Sequence, residues 1–95
     1  MTLQQLRYIV AIAKKRNMTR AAEGCFVAQS TLSQAIQDLE QRFNVKIFKR
    51  RAVQGNSTEL TPFGESIISE VQEAIIITDR IKQKLREAGY AYNVS

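Results

Sequence analysis

Apolar residues open the chain at Leu3, Leu6, Ile9, Val10 and Ala13, three and four apart, which predicts an amphipathic helix. Thr2 stands just before it with Gln5 three residues on, the spacing of a capping box. Lys14, Lys15 and Arg16 suit the negative end of that helix. Asn17 offers a second N-cap, and Met18 to Cys25 reads as a short helix whose Ala21, Ala22 and Cys25 allow close packing. Gly24 and Phe26-Val27-Ala28 read as its end and a tight turn. From Gln29 to Phe43 the stripe Leu32, Ile36, Leu39, Phe43 predicts a third helix, with polar side chains on the remaining face. Asn44 follows, a residue that tolerates the left-handed conformation in which helices end.

The period then changes. Val45 to Phe48 is β-branched and aromatic, which predicts a short strand. Lys49-Arg50-Arg51 is the densest basic cluster, Gln54-Gly55-Asn56-Ser57 is turn chemistry, and Thr58-Glu59-Leu60 reads as a returning strand. Thr61-Pro62 starts a fourth helix, a capping threonine followed by proline at the first helical position. Its pattern runs to about Ala88, with Gly89 as the expected stop, giving a rod of about 40 Å. Ile67, Val71, Ala74, Thr78, Ile81 and Leu85 recur at heptad spacing and predict a dimerisation seam, with Thr78 its weak point. Three short helices cannot cover such a rod, so a second copy is the simplest partner. Tyr90 to Ser95 shows no period. The expected organisation is a body over residues 1–61, a linker and dimerisation helix over 62–89, and a tail over 90–95.

Composition removes several classes of function. The 95 residues contain no histidine and one cysteine. A Cys/His zinc site, an internal disulfide framework and a histidine-based triad are therefore excluded, and no metal or other cofactor is expected. Lone Cys25 reads as a small buried apolar residue of a reducing compartment. Glycines 24, 55, 64 and 89 are scattered and form no phosphate-binding loop. The acids, Glu40 among them, read as solvated outward positions, so an enzyme is not expected. The longest apolar run, Tyr8 to Ala13, is far short of the roughly 20 residues that span a bilayer. No secretory signal is recognisable, and the expected location is the cytoplasm. Fourteen Lys+Arg against nine Asp+Glu give a formal net charge of +5, which favours an anionic partner.

A short helix, a turn and a second helix make a helix-turn-helix unit, whose second helix presents its N-terminal residues to base edges in the major groove. That stretch here carries Gln29, Ser30, Thr31, Ser33 and Gln34, with Gln37 further along. Glutamine can pair with adenine, and serine and threonine with bases or phosphates. No acid precedes Asp38 on this helix, although the dipole favours acids in a first turn. Their absence fits a face that approaches phosphate. The basic hairpin behind it reads as a wing that grips the backbone. A rival reading keeps the fold, leaves the basic surface idle and docks the fourth helix on another protein. Association with an anionic membrane surface is disfavoured by Glu65, Glu70, Glu73 and Asp79 flanking the seam.

From Leu3 to Leu85 the chain resembles the winged helix-turn-helix DNA-binding domain of LysR-type transcriptional regulators. The matching stretches are Leu6-Arg7-Tyr8, Asn17 to Glu23, Val27 to Ser33, Ile36, Leu39-Glu40, Val45, Ile47-Phe48, Arg50 and Leu60 to Gly64. The resemblance implies a mainly α fold: a three-helix core, a two-stranded wing and a long helix that pairs two subunits, with higher oligomers in a full-length protein. It implies binding to an interrupted inverted repeat in promoter DNA. It places Gln29, Ser30, Thr31, Ser33 and Gln34 in the major groove, Arg50 and Arg51 on the wing, and Thr19 and Arg20 beside the backbone. Four positions depart from the family's habit: Ala28 stands for a capping serine, Ser30 for proline, Gln34 for a basic residue and Asn44 for glycine. Ser30 is the candidate for a substitute hydrogen bond. Family members usually continue into an effector-binding domain, so a DNA-binding fragment is the expected status of this chain.

Overall fold

A computed structural model describes residues 1–51 and 57–94, leaving aside the side chains of Arg51 and of residues 90–94. Its elements run α1 (Leu3–Lys15), α2 (Met18–Gly24), α3 (Gln29–Phe43), β1 (Phe48–Arg51), β2 (Ser57–Leu60) and α4 (Pro62–Val94). The core is drawn from all of the helices. Tyr8, Ile9 and Ile12 of α1 meet Met18, Ala21 and Ala22 of α2, Leu32, Ile36 and Leu39 of α3, and Ile47 and Val71. Ile12, Ala21 and Leu32 are wholly buried. Truncating a buried leucine or isoleucine of this kind costs about 2–5 kcal/mol.

Local chemistry sets the starts of α1 and α2. Thr2 accepts from the Gln5 amide at 3.1 Å, and the Gln5 side chain accepts from the Thr2 amide at 2.9 Å. Asn17 accepts from the Arg20 amide at 2.9 Å. Arg16 closes α1 in the left-handed region at φ 55°, and its carbonyl accepts from the Thr58 amide at 2.9 Å, which seats β2 on the end of α1. In the turn between α2 and α3 the left-handed residue is Phe26 (φ 58°), whereas Gly24 belongs to α2.

The strand begins later than the sequence predicts. β1 starts at Phe48 because the backbone before it is engaged elsewhere. Val45 donates to the Glu40 carbonyl at 3.0 Å, and the Ile47 carbonyl accepts from the Thr61 amide at 2.9 Å. Glu40 is the cause, and it corrects its assignment to an outward face. It is only 8% exposed, and its carboxylate accepts from the amides of Ile47 at 2.7 Å and Phe48 at 3.3 Å. The Thr61 hydroxyl donates to the Lys46 carbonyl at 2.5 Å and accepts from the Gly64 amide at 3.1 Å, capping α4. β1 and β2 pair antiparallel with Phe48 opposite Leu60 and Arg50 opposite Thr58. The expected turn residues 54–56 lie outside the described residues.

Helix α4 corrects two further expectations. It continues through Gly89 to Val94, 33 residues and about 50 Å of rod. One glycine costs a helix about 1 kcal/mol and does not by itself end it. The heptad seam also divides. Val71 is buried in the chain's own core and so is not free for a partner, and Ile67 is half-buried against that core. Ala74 and Thr78 are half-buried, and the Thr78 hydroxyl returns to the Ala74 carbonyl at 2.7 Å. Ile81 and Leu85 stay exposed, together with Ile76 and Ile77. Arg7 of α1 braces the helix through Asp79 at 2.6 Å, an exposed pair worth well under about 1 kcal/mol.

Candidate nucleic-acid interface

The same periodicity that buries one stripe of α3 exposes another. Leu32, Ile36 and Leu39 face the core, so Ser30, Gln34, Gln37 and Gln41, each two residues earlier or later, face out. Gln29, Ser30, Thr31, Gln34 and Gln37 are all exposed, and Ser33 is half-buried at the edge. The first turn of α3 holds no acid. Neither Ala28 nor Ser30 caps it, so among the described residues its leading amides carry no side-chain partner.

Three side-chain hydrogen bonds organise this face. The Thr19 hydroxyl of α2 donates to Gln29 Oε1 at 3.1 Å, joining the starts of the two helices. Arg50 Nη2 donates to Ser33 Oγ at 3.4 Å, so the wing's cation lies against α3. The strand register explains this reach. Arg50 shares a face of the hairpin with buried Thr58 and half-buried Phe48, the side turned to the body. Gln34 Nε2 donates to Asp38 Oδ1 at 2.7 Å, one turn along α3.

Thr19, Gln29, Ser33 and Arg50 are thus tied in pairs across three elements. Arg20 is exposed on α2 beside Thr19, and its backbone serves the Asn17 cap. Lys49 adds a second exposed cation to β1. Arg51 closes β1, and its side chain lies outside the described residues. Two acids of the body are engaged away from α3, Glu59 with Arg16 at 3.5 Å and Asp79 with Arg7. The first half of the face therefore presents uncharged donors and acceptors, flanked by Arg20, Lys49 and Arg50, and Asp38 is an exposed acid at its far edge.

Two residues escaped the sequence reading. Glu40 sits four after Ile36 and one after Leu39, at the edge of the apolar stripe, and that position was the available signal. Asp38 sits four after Gln34, a spacing at which glutamine and aspartate meet on a helix surface. Among the described residues, no group of three His, Cys, Asp or Glu side chains is arranged to hold a metal ion, and no helix is long and apolar enough to cross a membrane.

The chain is similar in sequence and fold to known proteins. The regulator BudR of Klebsiella aerogenes is 37% identical over 93 residues, covering 98% of this chain and 63% of its own length. A full-length OxyR variant from Pseudomonas aeruginosa superposes with a TM-score of 0.81 at 40% identity, over 94% of this chain and 29% of that one. The DNA-binding domain of CbnR in its complex with DNA superposes with a TM-score of 0.82 at 27% identity, over 94% and 99% of the two chains. This chain thus spans less than two thirds of BudR and of full-length OxyR. Residues 3–65 match the model of the bacterial regulatory helix-turn-helix proteins of the lysR family, and the chain belongs to that family.

Proposed function

We propose that this chain is the DNA-reading part of a LysR-type transcriptional regulator. Two copies join through α4, and each lays α3 into the major groove of one half of an interrupted inverted repeat near a promoter. The observation that carries this reading is the exposed, acid-free first half of α3 with Arg50 of the wing drawn against it at 3.4 Å. Gln29, Ser30, Thr31, Ser33, Gln34 and Gln37 supply the groups that meet base edges. Thr19, Arg20, Arg50 and Arg51 supply contacts to the sugar-phosphate backbone, which set register and add salt dependence. The CbnR domain, similar over nearly the whole chain, is known as a complex with DNA, which supports the same partner here.

Dimerisation rests on the outer part of α4. Ile76, Ile77, Ile81 and Leu85 are exposed there, at 52, 47, 52 and 67%. A separate apolar groove of about 420 Å³ on the body is lined by Leu6, Phe43, Phe63 and Ile67 among others. Apolar exposure of the kind seen on outer α4 marks an interface. The half-sites then lie about 34 Å apart, one turn of DNA.

Selection from random duplexes at physiological salt, followed by sequencing of the bound pool, tests the reading. Enrichment of an interrupted inverted repeat supports it. Binding without enrichment leaves a backbone binder, and absence of binding favours a protein-docking role for α4. Sedimentation of Ile81→Asp tests the pairing: the variant is expected to be a folded monomer at micromolar concentration. A dimer that survives moves the interface off this part of α4.

A further inference from the structure

Gln34 is an exposed residue of α3, and a glutamine amide is ambiguous by nature. Its oxygen accepts and its nitrogen donates, so a freely rotating amide can satisfy either kind of base edge. In this chain it is not free. A carboxylate can only accept, so the 2.7 Å contact with Asp38 fixes which end of the amide is held. Nε2 is drawn back along the helix toward Asp38. Oε1 and the second Nε2 hydrogen are left without a protein partner among the described residues. Gln29 is held in the opposite sense, through its oxygen, by the Thr19 hydroxyl. Two glutamines on one face are therefore pre-set in opposite ways.

Resting on the reading of α3 as the recognition helix, we propose that Asp38 is a positioning residue that sets base choice by turning the Gln34 carbonyl oxygen toward the groove. An outward acceptor selects a base with an exocyclic amino group on its major-groove edge. Adenine fits best, because N6 donates to Oε1 while N7 accepts the remaining Nε2 hydrogen. Cytosine N4 satisfies the oxygen alone. Guanine and thymine present O6 and O4 to the same oxygen and are rejected by acceptor facing acceptor. Asp38 contributes no contact of its own to this choice. Its negative charge opposes phosphate, so it favours selectivity at the expense of overall affinity.

The test measures affinity for duplexes carrying each of the four bases, in turn, at every half-site position of the selected sequence. The wild-type chain is compared with Asp38→Ala, Asp38→Glu, Asp38→Lys and Gln34→Ala, with folding checked by circular dichroism. At one position the wild type is expected to prefer adenine over guanine by roughly tenfold, a preference that Gln34→Ala abolishes. Asp38→Ala is expected to cut it to about twofold or less, because the amide then turns freely. Asp38→Glu retains it. Asp38→Lys, which can only donate, captures Oε1, turns Nε2 outward and shifts the preference toward guanine and thymine. That shift disappears in the Asp38→Lys, Gln34→Ala double variant. Preferences at positions read by Gln29 stay unchanged throughout. An unaltered profile in both Asp38→Ala and Asp38→Lys overturns the proposal. If Gln34→Ala changes no preference, Gln34 reads no base and the proposal falls, while recognition by α3 stands. A wild-type chain with no sequence preference removes the recognition reading and this inference with it.

Discussion

The two ends of α3 are built on opposite terms. The C-terminal end is closed by a cluster of hydrogen bonds. Asn44 turns the chain in the left-handed region and donates to the carbonyls of Gln41 and Glu40. Val45 donates to the Glu40 carbonyl, the buried Glu40 carboxylate takes two amides, and Thr61 ties the following segment to α4. At the N-terminal end there is no side-chain cap, although α1 and α2 both have one. The locked end holds α3, the wing and α4 as one scaffold. The open end has no side-chain cap, and a helix N-terminus of that kind suits a phosphate. On the function proposed above, stability and recognition fall to different turns of a single helix.

The largest effect should come from breaking the locked end. Glu40→Ala leaves the amides of Ile47 and Phe48 without an acceptor in a buried place and is expected to cost about 3 kcal/mol. Glu40→Gln, which still offers one oxygen, should cost about 1 kcal/mol. Urea denaturation in an Ile81→Asp background reads this without a contribution from association. A loss below 1 kcal/mol for Glu40→Ala would show that the junction does not depend on the carboxylate. Gly64→Ala comes next. A Cβ there would collide with the Ile47 carbonyl oxygen and lie 2.8 Å from Leu60 Cδ2, an overpacking expected to cost about 2 kcal/mol. An unchanged midpoint would mean that α4 can slide away from the wing.

At the open end the effects should be on binding. Arg50→Ala removes an exposed cation whose side-chain partner among the described residues is Ser33 at 3.4 Å, so unfolding should be unaltered. Affinity for every duplex should fall, and the slope of log affinity against log salt should shrink by about 0.9, one phosphate contact. Titrations at several salt concentrations measure both. An unchanged slope removes Arg50 from the backbone.

The same division decides what was legible in the sequence. The bounds of α1 and α3 followed from local signals, namely the Thr2–Gln5 box, the apolar stripe and Asn44. The exposed polar face of α3 followed from the same stripe. Glu40 was misplaced because its burial depends on a segment seven residues later folding back over it. The start of β1 was misplaced because the Ile47 carbonyl is taken by Thr61, fourteen residues on, a partner that periodicity cannot show. Val71 fits a heptad as well as it fits a core. Only packing distinguishes the two, and packing places it inside. Asp38 was read as one more solvated acid, since spacing alone does not say which end of an amide it holds.

The smallest effect tests whether the open end is really open. Ala28→Ser places a hydroxyl where the backbone already has the extended conformation of an N-cap, φ −69° and ψ 148°. A serine there can accept from an amide of the first turn, which should stabilise the folded chain by about 1 kcal/mol. For a domain of this size that raises the melting temperature by roughly 4–8 °C. The gain should appear in the Ile81→Asp monomer as well, since the site is remote from α4. It should add independently to the loss in Glu40→Ala, because the two positions lie more than a turn apart and share no partner. If the serine stabilises nothing, some other group already satisfies the first turn of α3, and the contrast between its two ends weakens. If it stabilises as expected, the amides were vacant in the free protein, and the stability given up there can be weighed against the affinity it serves by measuring the same variant on DNA.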